Sequence, residues 1–409
     1  MKQQLRGKEL FLVGVTLFSM FFGAGNLIFP PFVGYQAGAA ALPAFLGMAL
    51  TAVCFPVLGV VAVAKVGGTD KLCSKIHPYF AIVFTILVYL CIGPMLAIPR
   101  TASTSYSMFA FLTARLDGMT LAGIPIDWVL RTVFSPAFFV GILMYVLGAV
   151  FAGAYQLAKR PAHFKDVLGK WMTPVLLVMI AVMFAAGLFY LKDAPAAPQQ
   201  AYADGAFMKG FVEGYNTMDT LAAIVFGIVI ALNVQACGVS EKKAVARSIM
   251  KAGVIAGVFL FTVYGLLAWL GARGSAVLAQ AADGTAVLSG LCLQFFGPVG
   301  ALLLAAIFFV ACFNVCTGLL SSCAAFFHEK FPRFSFIRWL QAFTVVSFLV
   351  SILGLELILK ISVPILTLLY PVAIAIIVIN LLPFAWAQKP VVHRVVTVLA
   401  FAVSIWSMF

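Results

Sequence analysis

Residues 21–31, FFGAGNLIFPP, decide the reading of this chain, because they interrupt what is otherwise one unbroken apolar span. From residue 10 to residue 34 no side chain is ionised, and the run is long enough to cross a hydrocarbon core that takes about 20 helical residues. Its middle reads Gly23-Ala24-Gly25-Asn26. A glycine inside a helix costs about 1 kcal/mol against alanine, so two of them beside an asparagine favour unwinding. Unwound backbone survives at membrane depth only where it is buried in protein or lines a wet cavity. Gly-x-Gly also lets helices pack closely, but packing leaves Asn26 and the pair Pro30-Pro31 unexplained. The functional reading is a discontinuous helix. Its second half starts near Asn26 and turns a positive dipole end and free N–H groups toward an anion such as a carboxylate. Its first half ends in unpaired carbonyls suited to a cation.

The rest of the chain is just as apolar. Of 409 residues, 64% are hydrophobic and 10% charged, with a mean hydropathy of +1.12, which excludes a soluble globular domain. No segment alternates with period two over about ten residues, so a transmembrane barrel is unsupported. The expected fold class is an all-α polytopic membrane protein in the lipid bilayer with about 11 transmembrane helices. They fall at residues 10–34, 39–64, 79–113, 133–157, 171–191, 214–237, 252–272, 296–327, 337–353, 361–384 and 395–409. Loops on the side of the N-terminus hold most of the 26 Lys and Arg residues, among them Lys2, Arg6, Lys8, Lys159, Arg160, Lys165 and Lys170. The other side holds only Arg115, Arg131, Lys192, Lys209, Arg273 and Lys360. The positive-inside rule then puts the N-terminus in the cytoplasm. It also accounts for the formal charge of +13 without a nucleic-acid partner.

Residues 192–213 read as the one long extracellular linker, with five spans before it and six after. The sixth span therefore enters from the side opposite to the first, as a five-plus-five inverted repeat with discontinuous helices 1 and 6 requires. The expected organisation is a first repeat over 1–191, the linker 192–213, a second inverted repeat over 214–384 and an additional C-terminal helix over 385–409. The sixth span is expected to be interrupted near residues 222–227. Two ionised residues lie well inside spans, Arg100 on the third and Asp219 on the sixth, and an intramembrane charge is costly enough to count as functional. They are expected to face one another, or to close above the site as an extracellular gate. The alternative is that each snorkels to the interface.

The eighth span carries Asn314, Thr317 and Ser321 along one face. That stripe fits helix packing with hydroxyls bonded to the preceding turn. It equally fits a sodium site in which Asn314 and Thr317 join the carbonyls that end the first half of the first span. An enzyme is not expected, since the chain has no His-Glu-x-x-His, no magnesium-binding aspartate pair, no phosphate-binding loop and no Ser/His/Asp set. A channel would want a ring of carbonyls or charges. One broken helix in an asymmetric bundle favours a secondary active transporter.

At this point the residues resemble a known family. FFGAGNLIFPP (21–31), GPMLAIPRTASTS (93–105), GYNTMDTLAAIVFGIVI (214–230), ACFNVCTGLLSSCAAFF (311–327) and ISVPILTLLYP (361–371) are similar to the bacterial branched-chain amino acid carriers. These are the system II leucine, isoleucine and valine cation symporters. The resemblance implies uptake of leucine, isoleucine and valine coupled to sodium, with no other cofactor and no obligate protein partner. It also implies a multi-pass place in the bacterial cytoplasmic membrane, alternating access, and a fold similar to that of the bacterial leucine transporter. Carried over by the resemblance, the N–H groups of Ala24 and Gly25, beside Gly23, would hold the substrate carboxylate, and the carbonyl of Phe21 its ammonium. Asn26 would ligate a sodium shared with the carboxylate. The carbonyls of Ser19 and Phe22, with Asn314 and Thr317, would hold a second. Tyr89, Gly93, Val225 and Phe226 would form the apolar pocket. Three departures stand out. Asn314-Val315 replaces the adjacent threonines common in the family, residues 171–191 carry no Lys or Arg to stand in for a sodium, and the chain stops after an eleventh span where the family usually has a twelfth. The second of these argues against simple proton coupling. The alternatives are the same fold moving another neutral amino acid or using protons, then a non-transporting sensor or a channel.

Overall fold

The structure, a computed structural model, describes residues 4–115, 120–121, 124–125, 151–156, 173–278 and 280–407. The apolar runs are helical, as membrane depth demands of a backbone that must satisfy its own polar groups. The first expected span is two helices, α1 (Gly7–Phe21) and α2 (Ala24–Ala37), separated by extended backbone at Phe22 and Gly23. The Gly23 N–H donates to Asn26 Oδ1 at 2.9 Å, so the asparagine of the motif caps the helix it helps to start. Pro30 and Pro31 sit inside α2, not at the break. Lacking N–H groups, they leave the carbonyls of Asn26 and Leu27 without helical donors.

The second span is α3 (Ala41–Ala49) and α4 (Phe55–Val66), joined by a π turn at Leu50–Cys54 just ahead of Pro56. Short α5 (Thr69–Cys73) follows. The third span, expected as one helix over 79–113, is corrected to α6 (Pro78–Leu90) and α7 (Ala97–Arg115). Between them a π turn at Cys91–Met95 holds Gly93 in a non-helical conformation beside Pro94. The cause is local: a proline gives up its own helical bond and pushes the residue before it out of the helical region. A two-residue pairing, β1 (Thr120–Leu121) with β2 (Ile124–Pro125), is antiparallel, Leu121 opposite Ile124. The expected span 133–157 lies outside the described residues except for 151–156, which are helical.

The fifth expected span is α8 (Thr173–Tyr190). The expected linker contains two helices, α9 (Gln200–Ala203) and α10 (Ala206–Glu213). A 3-10 turn at Gly214–Thr217 leads into α11 (Asp219–Ala236). Then come α12 (Lys242–Gly274), α13 (Gly284–Lys330, bent at Gly297), α14 (Phe336–Ser351), α15 (Leu355–Leu381) and α16 (Pro390–Trp406). The interruption of the sixth span falls at Met218, whose φ is 66°, and not at residues 222–227, which lie inside α11. The Met218 N–H closes the turn on the Tyr215 carbonyl at 3.0 Å. Among the described residues Met218 is the one non-glycine at positive φ. Such a residue is held by its surroundings and leaves no mark in the sequence.

Six helical runs among the described residues are long and apolar enough to cross a membrane, and four shorter apolar helices accompany them. The chain is thus an all-helical, multi-spanning protein. At its centre lies α2, buried from Ala24 through Pro31 and packed on α12 and α13. Glycines permit this contact. A Cβ on Gly271 would strike the Pro31 carbonyl, and one on Gly284 the Ile28 carbonyl. Backbone contact through small residues is how helices associate where lipid offers no hydrophobic drive. Around this centre α10 packs on α3, α11 on α4 and α13 on α7.

Candidate functional site

The three interruptions meet at one cavity. It is lined by Met20, Phe21 and Gly23 at the end of α1, and by Ala24, Gly25 and Asn26 at the start of α2. Ile92, Ala97, Arg100 and Thr101 come from the α6–α7 bend. The sixth-span break adds Thr217, Met218, Asp219, Ala222 and Phe226, and α13 adds Val315 and Leu319. The cavity measures about 30 Å³, room for about two waters. An amino acid therefore enters this conformation only if the walls move apart.

One wall is the N-terminus of α2. Its first-turn N–H groups, including those of Ala24 and Gly25, have no intrahelical partner and carry the positive end of the helix dipole. Arg100, 3% exposed, stands beside it. Its Nη1 donates to the Asn216 carbonyl at 2.7 Å, its guanidinium lies 5.5 Å from the centre of the Phe29 ring, and its Nε has no acceptor among the described residues. A Cβ on Gly25 would come within 2.7 Å of Arg100 Nη2. Another wall carries Asp219, 2% exposed. Its Oδ2 accepts from Asn26 Nδ2 at 2.7 Å and from the Tyr264 hydroxyl at 2.7 Å. Asn26 Nδ2 and the Tyr264 hydroxyl also touch each other. Asn26 thus ties both breaks together, capping α2 with its oxygen and holding Asp219 with its nitrogen.

Of the expected substrate residues, Phe21, Gly23, Ala24, Gly25, Asn26 and Phe226 line the cavity. Phe21 and Phe226 meet edge to face at 5.8 Å. Tyr89, Gly93 and Val225 do not line it in this conformation. Tyr89 stacks on Phe326 at 3.8 Å, Gly93 backs onto Cys323 Sγ, and Val225 is buried about 100° around the helix from Phe226. Phe22 packs on Phe18 and Tyr264. Arg100 and Asp219 do reach the same cavity, but among the described contacts they form no ion pair with each other. Ser19 is buried in the last turn of α1, outside the lining. Thr317 is buried with its hydroxyl donated back to the Phe313 carbonyl at 2.8 Å. The Asn314 side chain lies outside the described residues, while Val315 turns an apolar side chain toward Gly23. Sequence reasoning missed Met20, Ile92, Ala97, Thr101, Thr217, Met218, Ala222 and Leu319 in the lining, and Tyr264 beside it. Ala97 could have been found, since it precedes Arg100 by three residues on the same helical face, and Thr101 follows Ala97 by four. For Tyr264, in an apolar helix, no such signal exists.

Residues 6–409 match the family described as Branched-chain amino acid transport protein. The chain belongs to this family. It is 36% identical over 396 residues to the branched-chain amino acid permease BraB of Bacillus subtilis, covering 96% of this chain and 84% of that one. It is 37% identical over 398 residues to the branched-chain amino acid transport system 2 carrier protein of Pseudomonas aeruginosa, covering 97% and 86%. These relatives are named as a permease and a carrier, and members of this family are transporters, not enzymes. In fold the chain is similar to MhsT, solved in complex with L-phenylalanine, with a TM-score of 0.61 at 16% identity over 100% of both chains. It is also similar to Mhp1, a nucleobase-cation-symport-1 family transporter in a closed conformation, with a TM-score of 0.51 at 12% identity over 97% and 92%. At such identities the likeness concerns the fold alone, which is the transporter fold of these two proteins.

Proposed function

We propose that the protein is a sodium-coupled symporter that imports leucine, isoleucine and valine across a bacterial cytoplasmic membrane by alternating access. The observation that carries this reading is the cavity at the α1–α2 break, in a chain of this family. The N–H groups of Ala24 and Gly25 take the substrate carboxylate, and the Phe21 carbonyl faces the ammonium. The branched side chain lies among Ile92, Ala222, Phe226, Val315 and Leu319. Pocket shape of this kind is worth roughly 1 to 3 kcal/mol per methylene, so discrimination among the three substrates is modest. Sodium binds beside the carboxylate at the carbonyls that end α1, near Asn26, because opposite charges stabilise each other strongly in a site shielded from water. A second sodium uses Ser19, Phe22 and α13, with Thr317 supplying the oxygen that Val315 lacks. The five-plus-five repeat rocks around this site, and the basic loops and the N-terminus stay in the cytoplasm.

The names of the relatives support the branched-chain substrates. Sodium coupling is supported by the sequence resemblance and by the placement of the C-terminal, negative-dipole end of α1 at the cavity. The test is uptake of radiolabelled leucine into proteoliposomes, first with an inward sodium gradient and then with potassium in place of sodium. Uptake that needs sodium and is competed by isoleucine and valine is the expected result. Uptake indifferent to sodium would show that Asn314-Val315 has changed the coupling ion, and no uptake would remove the substrate assignment.

A further inference from the structure

Arg100 and Asp219 are both nearly inaccessible, both line the same small cavity, and neither neutralises the other at contact distance. Among the described residues each feels the other's opposite charge across the cavity without touching it, and buried charges that are not neutralised in contact are costly. A ligand that carries one positive and one negative group on adjacent atoms would complete the site. We infer that Asp219 receives the ammonium of the transported amino acid and Arg100 its carboxylate, so that the two side chains select the zwitterion. This rests on the reading of the cavity as the amino acid site, and it assigns these two residues a task other than an outer gate.

The orientation follows from the surroundings of each group. Arg100 stands against Gly25, where the positive end of α2 also points. Its Nη1 is anchored on the Asn216 carbonyl, while its Nε has no acceptor among the described residues. The anion therefore belongs on this side. Asp219 opens α11, where the helix dipole favours a carboxylate. Its Oδ2 is fixed by Asn26 and Tyr264, and Asn26 is itself fixed by the Gly23 N–H. Asn26 and Tyr264 are positioning residues that hold the carboxylate for the ammonium. An analogue without its amino group leaves Asp219 buried and unpaired, the situation in which a polar site rejects a ligand most strongly.

The experiment measures equilibrium binding to the full chain in lipid nanodiscs at saturating sodium. The ligands are radiolabelled leucine and 4-methylpentanoate, which is leucine without its amino group. The unaltered protein is expected to prefer leucine by about 100-fold or more. Asp219→Asn should weaken leucine by about that factor and leave 4-methylpentanoate unchanged, so that the preference collapses, whereas Asp219→Glu keeps part of it. If Asp219→Asn does not fold, Tyr264→Phe decides, because it keeps the carboxylate and removes one of its donors. It should weaken leucine several-fold and not 4-methylpentanoate. Equal loss for both ligands in either variant, or unchanged leucine binding in both, overturns the assignment. Failure of leucine to bind the unaltered protein removes the transport reading itself, and this inference with it.

Discussion

Asn26 is the residue on which the site turns, since it caps α2 through Oδ1 and holds Asp219 through Nδ2. Asn26→Ala removes a helix cap worth about 1 kcal/mol and leaves a buried carboxylate one donor short, which costs about 1 to 3 kcal/mol more. We expect the variant to reach the membrane with a lowered melting temperature and to lose leucine uptake by about 100-fold. Normal uptake at normal expression would mean that the cap and the Asp219 contact are dispensable. At this scale the sequence was informative where chemistry was unusual. An asparagine between glycines in an apolar run, and two lone charges, have few uses other than a site, and the structure brings all three to one cavity. Tyr264 and Met218 were illegible for the opposite reason. A tyrosine in an apolar helix reads as packing, and a methionine at φ 66° depends on contacts that only the assembled fold supplies.

Among the elements, the pairing of α2 with α12 controls the position of the break. Gly271 lets the α12 backbone lie against the Pro31 carbonyl, so a large side chain there must push the helices apart. Gly271→Leu is expected to destabilise the protein by about 1 to 3 kcal/mol or more, the usual cost of overpacking. Thermal unfolding in detergent checks this, and a melting temperature equal to that of the parent would show that α2 and α12 do not pack as described. Gly93→Ala tests the bend between α6 and α7 more gently. Its Cβ would come within 2.7 Å of Cys323 Sγ, so the Cys323 side chain or the bend itself must move, and uptake should fall more than stability does. Breaks differed in legibility according to what marks them. Gly23 to Asn26 announced the first. Gly93-Pro94 marked the second as plainly, but the long apolar run around it masked it. The third, at Met218, is marked by neither glycine nor proline at that position, and the inverted topology expected of the two halves suggested it only a turn too far along.

For the whole molecule, contacts far from the cavity tie its elements together. Lys330 at the end of α13 pairs with Asp70 on α5, and their side chains are 32% and 41% exposed. An ion pair this accessible is worth about 0 to 1 kcal/mol. Lys330→Ala should therefore shift unfolding by no more than about 1 kcal/mol, and less at high salt. A larger loss would make the pair a structural tie between these elements. A cavity of about 30 Å³ must expand before it holds leucine, so ligand binding is expected to change the exposure of its walls. Membrane residence was readable from composition, because 64% hydrophobic residues leave no other solvent for the chain, and helical character from apolar runs without period-two alternation. The path by which the walls separate was not, since it depends on packing between distant helices.

The central claim is that the amino acid binds at the break between α1 and α2. Gly25→Val tests it most directly, because a side chain there would occupy the space between the α2 N-terminus and Arg100 Nη2, 2.7 Å from the position of its Cβ. Binding of radiolabelled leucine to the purified parent and variant, both shown to be monodisperse, is the measurement. The account predicts saturable binding by the parent and loss of at least about 100-fold in affinity by the variant. Equal affinity in the two would contradict it and place the substrate elsewhere in the bundle.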